Sequence, residues 1–285
     1  MHRALRTHTT VEFGHPRDSA LIGGRPASKD EMERILDVVD ALGAEAGGRS
    51  GMRMQSVNDF PSNIGLGASA SGFAALAVAA AGALGLDLSL EELSRFARRG
   101  AGSAARAVTG GFSRWYAGEG DMDSVSRRIP SPENIDLAIV CALVPALKTT
   151  DLAHREVLSS PFFRARLEYV PSALERMESA IRNGDVDEIG RLAETDTLLL
   201  HGITMTGADE MMLWRPETVS IILEVKAMRK DGIRCHFSID TGATVYINCH
   251  RDNVRQVRRR MAGLGIETLD CSVGGPAAIV TEHLF

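Results

Sequence analysis

The spacing of apolar residues changes several times along the chain, and each change marks an element. Residues 9–13 alternate weakly and predict a strand, with a second at residues 20–22 after the turn at His15 and Pro16. Ser28 followed three residues later by Glu31 has the form of a capping box. Met32, Ile35, Leu36, Val39 and Leu42 then repeat at helical spacing until Gly47 and Gly48. Residues 52–57 alternate again and predict a strand leading into Asp59, Phe60 and Pro61. Residues 73–86 are so rich in alanine that they predict a helix packed closely on several sides. Ser89 with Glu92 caps a further helix, which ends at Arg98, Arg99 and Gly100.

Beyond Trp115 the stretch GEGDMDSVSRRIPSPEN is polar, charged and broken by prolines, which is the composition of a boundary between lobes. The boundary is placed near Pro132, giving an N-terminal lobe at 1–132 and a C-terminal lobe at 133–285. The second half opens on an apolar strand at 137–144, followed by helical patterns at 162–182 and 186–200. A helix at 216–230 starts at Pro216, where the missing N–H costs nothing. Strands at 234–238 and 244–248 flank the turn Asp240-Thr241-Gly242. A helix at 252–262 and short strands near Ile266 and Ala278 complete a split β-α-β arrangement. The fold class is α+β in two lobes, as the length of 285 residues favours.

Composition narrows the function classes. With 44% hydrophobic and 24% charged residues the chain is globular, neither disordered nor fibrous. The net charge of −5, with both signs interspersed, argues against a nucleic-acid groove or a polybasic membrane anchor. Cys141, Cys235, Cys249 and Cys271 form no C-x-x-C pair, so neither a disulfide framework nor a zinc knuckle is expected. The opening MHRALRTHTTVEF is too polar for a signal peptide, and no apolar run is long enough to span a bilayer; a cytoplasmic enzyme is expected. The eight histidines show no ligand spacing, and no metal-ligating residues are expected. His201, in an apolar run, reads as a core or interface histidine.

The stretch Gly65-Leu66-Gly67-Ala68-Ser69-Ala70-Ser71-Gly72 sets glycines and small hydroxylic residues before the alanine-rich helix. Two readings stand open on these residues alone. One is a phosphate loop whose N–H groups and helix dipole favour an anion. The other is a small-residue turn serving a buried helix. No Gly-Lys-Ser/Thr ending is present, so a Walker loop is not indicated.

The pattern Pro61-x-x-x-Gly65-Leu66-Gly67-x-Ser69-Ala70-Ser71 resembles the phosphate-binding motif of the small-metabolite (GHMP) kinases, which include galactokinase, homoserine kinase and mevalonate kinase. Asp59-Phe60 before it and Gly72-Phe73-Ala74-Ala75-Leu76 after it narrow the likeness to the mevalonate diphosphate decarboxylase branch. That branch carries A-R-x-G-S-G-S-A-C-R-S-x-x-G-G-F-x-x-W, matched here from Ala97 to Trp115. Asp240-Thr241-Gly242-Ala243 matches its acidic hairpin. The likeness covers nearly the whole chain and is strongest from Phe60 to Trp115. It implies a two-lobed GHMP-kinase-like fold, with a ribosomal-S5-like N-terminal lobe and a ferredoxin-like C-terminal lobe. It also implies a homodimer acting on a phosphorylated mevalonate with ATP and Mg2+.

The implied reaction phosphorylates a tertiary hydroxyl and then loses that phosphate together with carbon dioxide. On this resemblance Asp240 orients or accepts the hydroxyl proton, and Arg106 grips the substrate carboxylate with its planar fork. Ser69 and Ser103 donate to phosphate oxygens, Gly102 lies on the substrate side, and the N–H groups from Gly65 through Leu66, Gly67, Ala68, Ser69 and Ala70 to Ser71 cradle the nucleotide. Bland alternatives stay open on the residues alone: Asp240 as a turn former, Arg106 as a surface cation, Ser103 as a helix cap. Arg98 and Arg99 rank below Arg106.

The chain departs from the pattern at Ala68, Ala101, Ala105 and Ala107, where the family carries serine or cysteine. Fewer phosphate-side hydroxyls suggest a substrate with fewer phosphates, as in the 5-phosphomevalonate enzymes. An A-x-x-N-I-A-L-I-K-Y-W-G-K-like opening segment, expected from the resemblance, is not found. The alternatives are a mevalonate-type kinase without decarboxylation and an inactive nucleotide-binding relative.

Overall fold

A computed structural model describes residues 5–60, 65–146 and 150–285. These divide into two compact units: residues 5–60, 67–129 and 274–285 in one, and residues 65–66, 130–146 and 150–273 in the other.

In the first unit β1 (Thr7–His15), β2 (Ser19–Ile22) and β3 (Arg25–Pro26) precede α1 (Lys29–Glu45) and β4 (Gly51–Asn58). The sheet order is β1-β4-β2-β3, with β4 antiparallel to β1 and parallel to β2. α1 starts where the capping box predicts: the Ser28 side chain accepts from the Glu31 N–H, and the Glu31 carboxylate accepts from the Ser28 N–H at 2.8 Å. It stops in a double-glycine turn, with φ +81° at Gly47 and +134° at Gly48.

α2 (Ala68–Ala83), α3 (Leu90–Gly100) and α4 (Ala104–Thr109) follow, then the short hairpin of β5 (Ser113–Trp115) and β6 (Ser126–Arg128). α2 buries Ala74, Leu76, Ala77, Val78, Ala80 and Ala81 against Ile35, Val38, Val39 and Leu42 of α1, Met52 and Met54 of β4, and Phe96 and Ala97 of α3. Alanine is the residue that lets helices approach from several sides, so the composition of α2 follows from its central place. The helix begins five residues before the predicted Phe73, so Ala68, Ser69, Ala70 and Ser71 form its first turn instead of a loop ahead of it.

The other unit contains β7 (Ala138–Ala142), α5 (Thr150–Glu156), α6 (Phe163–Asn183), α7 (Val186–Met205), α8 (Pro216–Lys230), β8 (Cys235–Ser238), β9 (Val245–Cys249), α9 (Val254–Gly263) and β10 (Thr268–Cys271). Its sheet runs β10-β7-β9-β8 with every pairing antiparallel, which is the ferredoxin-like order of a split β-α-β fold. Val140, Phe237, Val245 and Ile247 project to one face and pack on Ile221, Val225 and Met228 of α8 and on Val257 and Met261 of α9. α7 lies along β8 and β9. α8 has the predicted bounds with Pro216 at its start, whereas α5 had not been foreseen.

The strand expected near Ala278 does not form. Gly274, Gly275 and Pro276 interrupt any ladder, and residues 274–285 instead lie along the first unit as an irregular tail. The Ala277 N–H bonds the Val108 carbonyl at 3.0 Å, the Gly111 N–H bonds Gly274 at 2.9 Å, and the Leu284 N–H bonds the Thr10 hydroxyl at 3.0 Å.

Candidate active site

The first component is the start of α2. Gly67 caps it in the left-handed region (φ 74°, ψ 23°), a conformation glycine adopts without strain. No side chain caps this end and no acidic residue occupies its first turn. The Ser71 N–H is spent on the Gly67 carbonyl at 3.0 Å, while the N–H groups of Ala68, Ser69 and Ala70 have no backbone acceptor among the described residues. Unpaired N–H groups at the positive end of a 16-residue helix suit an anion. Pro61, at the head of the motif, lies outside the described residues.

Around that end the hydroxyls divide. Ser69 is exposed and accepts from the Arg34 guanidinium at 3.2 Å. Arg34 also donates to the Gly100 carbonyl through Nε at 2.8 Å and stacks over the Phe73 ring at 4.8 Å. One arginine of α1 thereby ties the start of α2 to the end of α3. Ser71 is half-buried, its hydroxyl 2.6 Å from that of Thr7, which in turn donates to Asn58 Oδ1 at 2.7 Å. Neither Arg34 nor Thr7 was distinguishable in sequence, because each falls on an ordinary amphipathic element.

The second component is the turn between α3 and α4. A Cβ at Gly102 would come within 2.8–2.9 Å of the Trp115 ring, so glycine here follows from a close approach. Ser103 precedes α4 as an exposed residue whose hydroxyl caps nothing. Ala104, Ala105 and Val108 bury one side of this single-turn-and-a-half helix, which leaves Arg106 exposed on the other. Its guanidinium has no ion-pair or hydrogen-bond partner among the described residues. Arg98 and Arg99 differ from it: both pair with Asp121, at 2.5 and 3.0 Å, and Arg98 also donates to the Ser124 carbonyl at 3.0 Å. Their charge is committed to holding the loop at 121–124.

The third component is the β8–β9 turn. The Ile239 N–H donates to the Thr197 hydroxyl at 3.0 Å, and the Asp240 carbonyl accepts from the Gly242 N–H at 2.8 Å and from His201 Nε2 at 3.1 Å. With its backbone held from α7, Asp240 turns an exposed carboxylate outward that has no partner among the described residues. His201 is buried, with its ring 5.0 Å from that of Trp214. Burial pushes its imidazole down to about 4, so it stays neutral and acts as a donor to the turn. The expectation of a core histidine is met, with the added task of fixing this turn.

Gly65 belongs to the same unit and rests on the same hairpin. Its carbonyl accepts from the Tyr246 hydroxyl. A Cβ on Gly65 would lie 3.6 Å from Thr244, and one on Gly242 would lie 3.9 Å from Gly65 Cα. The acidic turn and the first glycine of the loop are therefore packed together, although 175 positions apart in sequence. Burial pushes the Tyr246 phenol up, keeping it a donor. Tyr246 and Thr244 carried only the alternation of a strand.

Among the described residues no group of three or more His, Cys, Asp or Glu side chains could hold a metal ion, and no helix is long and apolar enough to cross a membrane. Residues 1–126 match the family described as the diphosphomevalonate decarboxylase-like N-terminal domain. The phosphomevalonate decarboxylase of Haloferax volcanii is 44% identical over 279 residues, which is 97% of this chain and 86% of that protein. The chain spans about half the length (55%) of the fungal diphosphomevalonate decarboxylases of Ganoderma lucidum and Aspergillus fumigatus. Among solved structures, mevalonate diphosphate decarboxylase from Staphylococcus aureus superposes with a TM-score of 0.91 at 26% identity, covering 97% of this chain and 86% of that one. A complex of MDDEF with MVAPP, AMPPCP and magnesium has a TM-score of 0.85 at 28% identity, covering 96% and 87%.

Proposed function

The chain belongs to the family of the phosphomevalonate and diphosphomevalonate decarboxylases, and from that premise we propose that it is an ATP-dependent decarboxylase of 5-phosphomevalonate, releasing carbon dioxide and isopentenyl phosphate for isoprenoid synthesis. The observation that carries the reading is the packing of the Asp240 turn against Gly65, because phosphoryl transfer to a hydroxyl uses a carboxylate near the phosphates to orient or accept the hydroxyl proton. The 44% identity to a phosphomevalonate decarboxylase, together with alanine at positions 68 and 101, one in each glycine-rich segment, favours the monophosphate over the diphosphate.

In this reading the uncapped N–H groups of Ala68, Ser69 and Ala70 hold the ATP phosphates, with Gly65, Leu66 and Gly67 shaping the approach and Ser69 and Ser71 lining it. Asp240 accepts the proton of the tertiary hydroxyl while His201 and Thr197 hold its backbone still. Arg106 binds the substrate carboxylate through two parallel N–H bonds, with Ser103 and Gly102 beside it, and releases the carbon dioxide formed when the new phosphate leaves. Magnesium would be held here by the nucleotide together with at most an isolated carboxylate such as Asp240, and would supply neutralisation of phosphate charge. The enzyme acts in the cytoplasm as a homodimer.

A coupled assay tests the proposal. The chain, ATP and magnesium are incubated with 5-phosphomevalonate or its diphosphate, and carbon dioxide and ADP are measured. Equal release of both with the monophosphate is expected. ADP without gas would reduce the protein to a kinase.

A further inference from the structure

The sheet of the second unit carries a pair of thiols that the reaction does not use. Cys141 on β7 faces Leu269 on β10, and Cys271 on β10 faces Ile139 on β7. The two cysteines are thus diagonal neighbours on one face of adjacent strands, opposite the face that packs on α8 and α9. Their sulfurs are 3.6 Å apart and both are free thiols. Cys141 is buried, whereas Cys271 is partly exposed on an edge strand of four residues. The Cys141 S–H donates to the Cys271 sulfur, which holds the Cys271 thiol below its usual value and pushes that of Cys141 up. Cys271 is therefore the member that ionises and meets solvent. Cys235 and Cys249 behave otherwise: they sit in the core, and burial pushes them up to about 11 and about 12.

We propose that Cys141 and Cys271 form a reversible redox modification site that reacts with hydrogen peroxide and closes to an intrachain disulfide. The Cys271 thiolate attacks the peroxide, the O–O bond breaks, and Cys271 becomes a sulfenic acid while the departing hydroxide takes a proton and leaves as water. The Cys141 sulfur then attacks the Cys271 sulfur and the S–O bond breaks. The second hydroxide carries off the Cys141 proton as water. Two thiols lose two electrons and two protons, and one peroxide becomes two waters. The sulfurs must close from 3.6 Å to about 2.05 Å, and β10, bonded on one side only, is the strand able to shift. A bond closed by such a shift is readily reduced by a dithiol.

The pair is placed to affect the loop. Cys141 lies directly opposite Tyr246 in the β7–β9 ladder, and Tyr246 holds the Gly65 carbonyl. A displaced Cys141 side chain therefore disturbs the contact that seats the first loop glycine. This consequence rests on the nucleotide-binding reading; the oxidation itself does not.

The test treats the full chain with hydrogen peroxide, blocks remaining thiols and maps the peptides by mass. The expected product is one cross-link between the peptides containing Cys141 and Cys271, two hydrogens lighter and reversed by dithiothreitol, with Cys235 and Cys249 still alkylated after unfolding. Cys141→Ser should leave Cys271 trapped as a dimedone-reactive sulfenic acid, and Cys271→Ser should abolish oxidation of Cys141. ATP affinity by calorimetry should fall at least threefold on oxidation of the wild-type chain and not in Cys271→Ser. Uncross-linked thiols at both positions, or oxidation of Cys235 and Cys249 at the same dose, would overturn the site. A cross-link that leaves ATP affinity unchanged would overturn its coupling to Gly65.

Discussion

Asp240 and Arg106 are ordinary residue types made unusual by what surrounds them: each is exposed, charged and without a partner among the described residues, while their neighbours are paired. Asp240→Asn should keep the fold and lower kcat by roughly 100-fold or more, the usual worth of a positioned base; unchanged turnover in a steady-state assay would remove Asp240 from the mechanism. Arg106→Lys keeps the charge but loses the planar fork, and kcat/KM is expected to fall roughly 10- to 100-fold. His201 leaves a signature in stability. Its imidazole is held at about 4 against 6.5 for a free one, so the unfolded chain takes up the proton first. Stability is intact above about pH 6.5 and is lost as pH falls through the window down to about 4, each unit of separation being about 1.4 kcal/mol. His201→Gln should flatten that loss, as read from denaturant midpoints at pH 7 and pH 5. Asp240 and Arg106 could be singled out in sequence as candidates because they sit in recognisable motifs. The roles of Arg34, Thr197, His201 and Tyr246 could not, because these residues act on groups 39 to 181 positions away.

Helices α1, α3 and α8 were legible because their start signals are local, capping boxes in two and a proline in the third. The same locality predicts that Ser89→Ala costs about 1 kcal/mol in a denaturant titration, with no change in the slope of the transition. α4 carries no local helix signal, because six residues are too few to show a helical period. What holds it is contact. Gly100 lies under the Phe73 ring and Gly102 under the Trp115 ring. Gly102→Ala places a methyl 2.8–2.9 Å from that ring and should destabilise by roughly 1–3 kcal/mol, with Trp115 fluorescence shifted. Full retention of stability would mean that the ring moves aside freely.

At the scale of the molecule, the last residues of the chain help to close the first unit. His8 Nε2 lies 3.0 Å from the Glu282 carbonyl, and Phe285 stacks under Arg53 at 4.1 Å. Removing residues 274–285 cancels these contacts together with those to Val108, Gly111 and Thr10. Tm is expected to fall by roughly 5–10 °C, with faster amide exchange along β1. An unchanged Tm would show the tail to be dispensable.

Local chemistry written in consecutive residues determined the α+β class, most element bounds, the glycine-rich loop and the family, because caps, periods and motifs act over a few positions. Only the tertiary structure decided which hydroxyls near the loop are already engaged, that a buried neutral histidine fixes the acidic turn, that this turn packs on Gly65, and that the final segment is a tail instead of a strand. Each of those depends on burial or on a partner far away in the chain, and neither quantity exists until the sheets and helices have closed over one another.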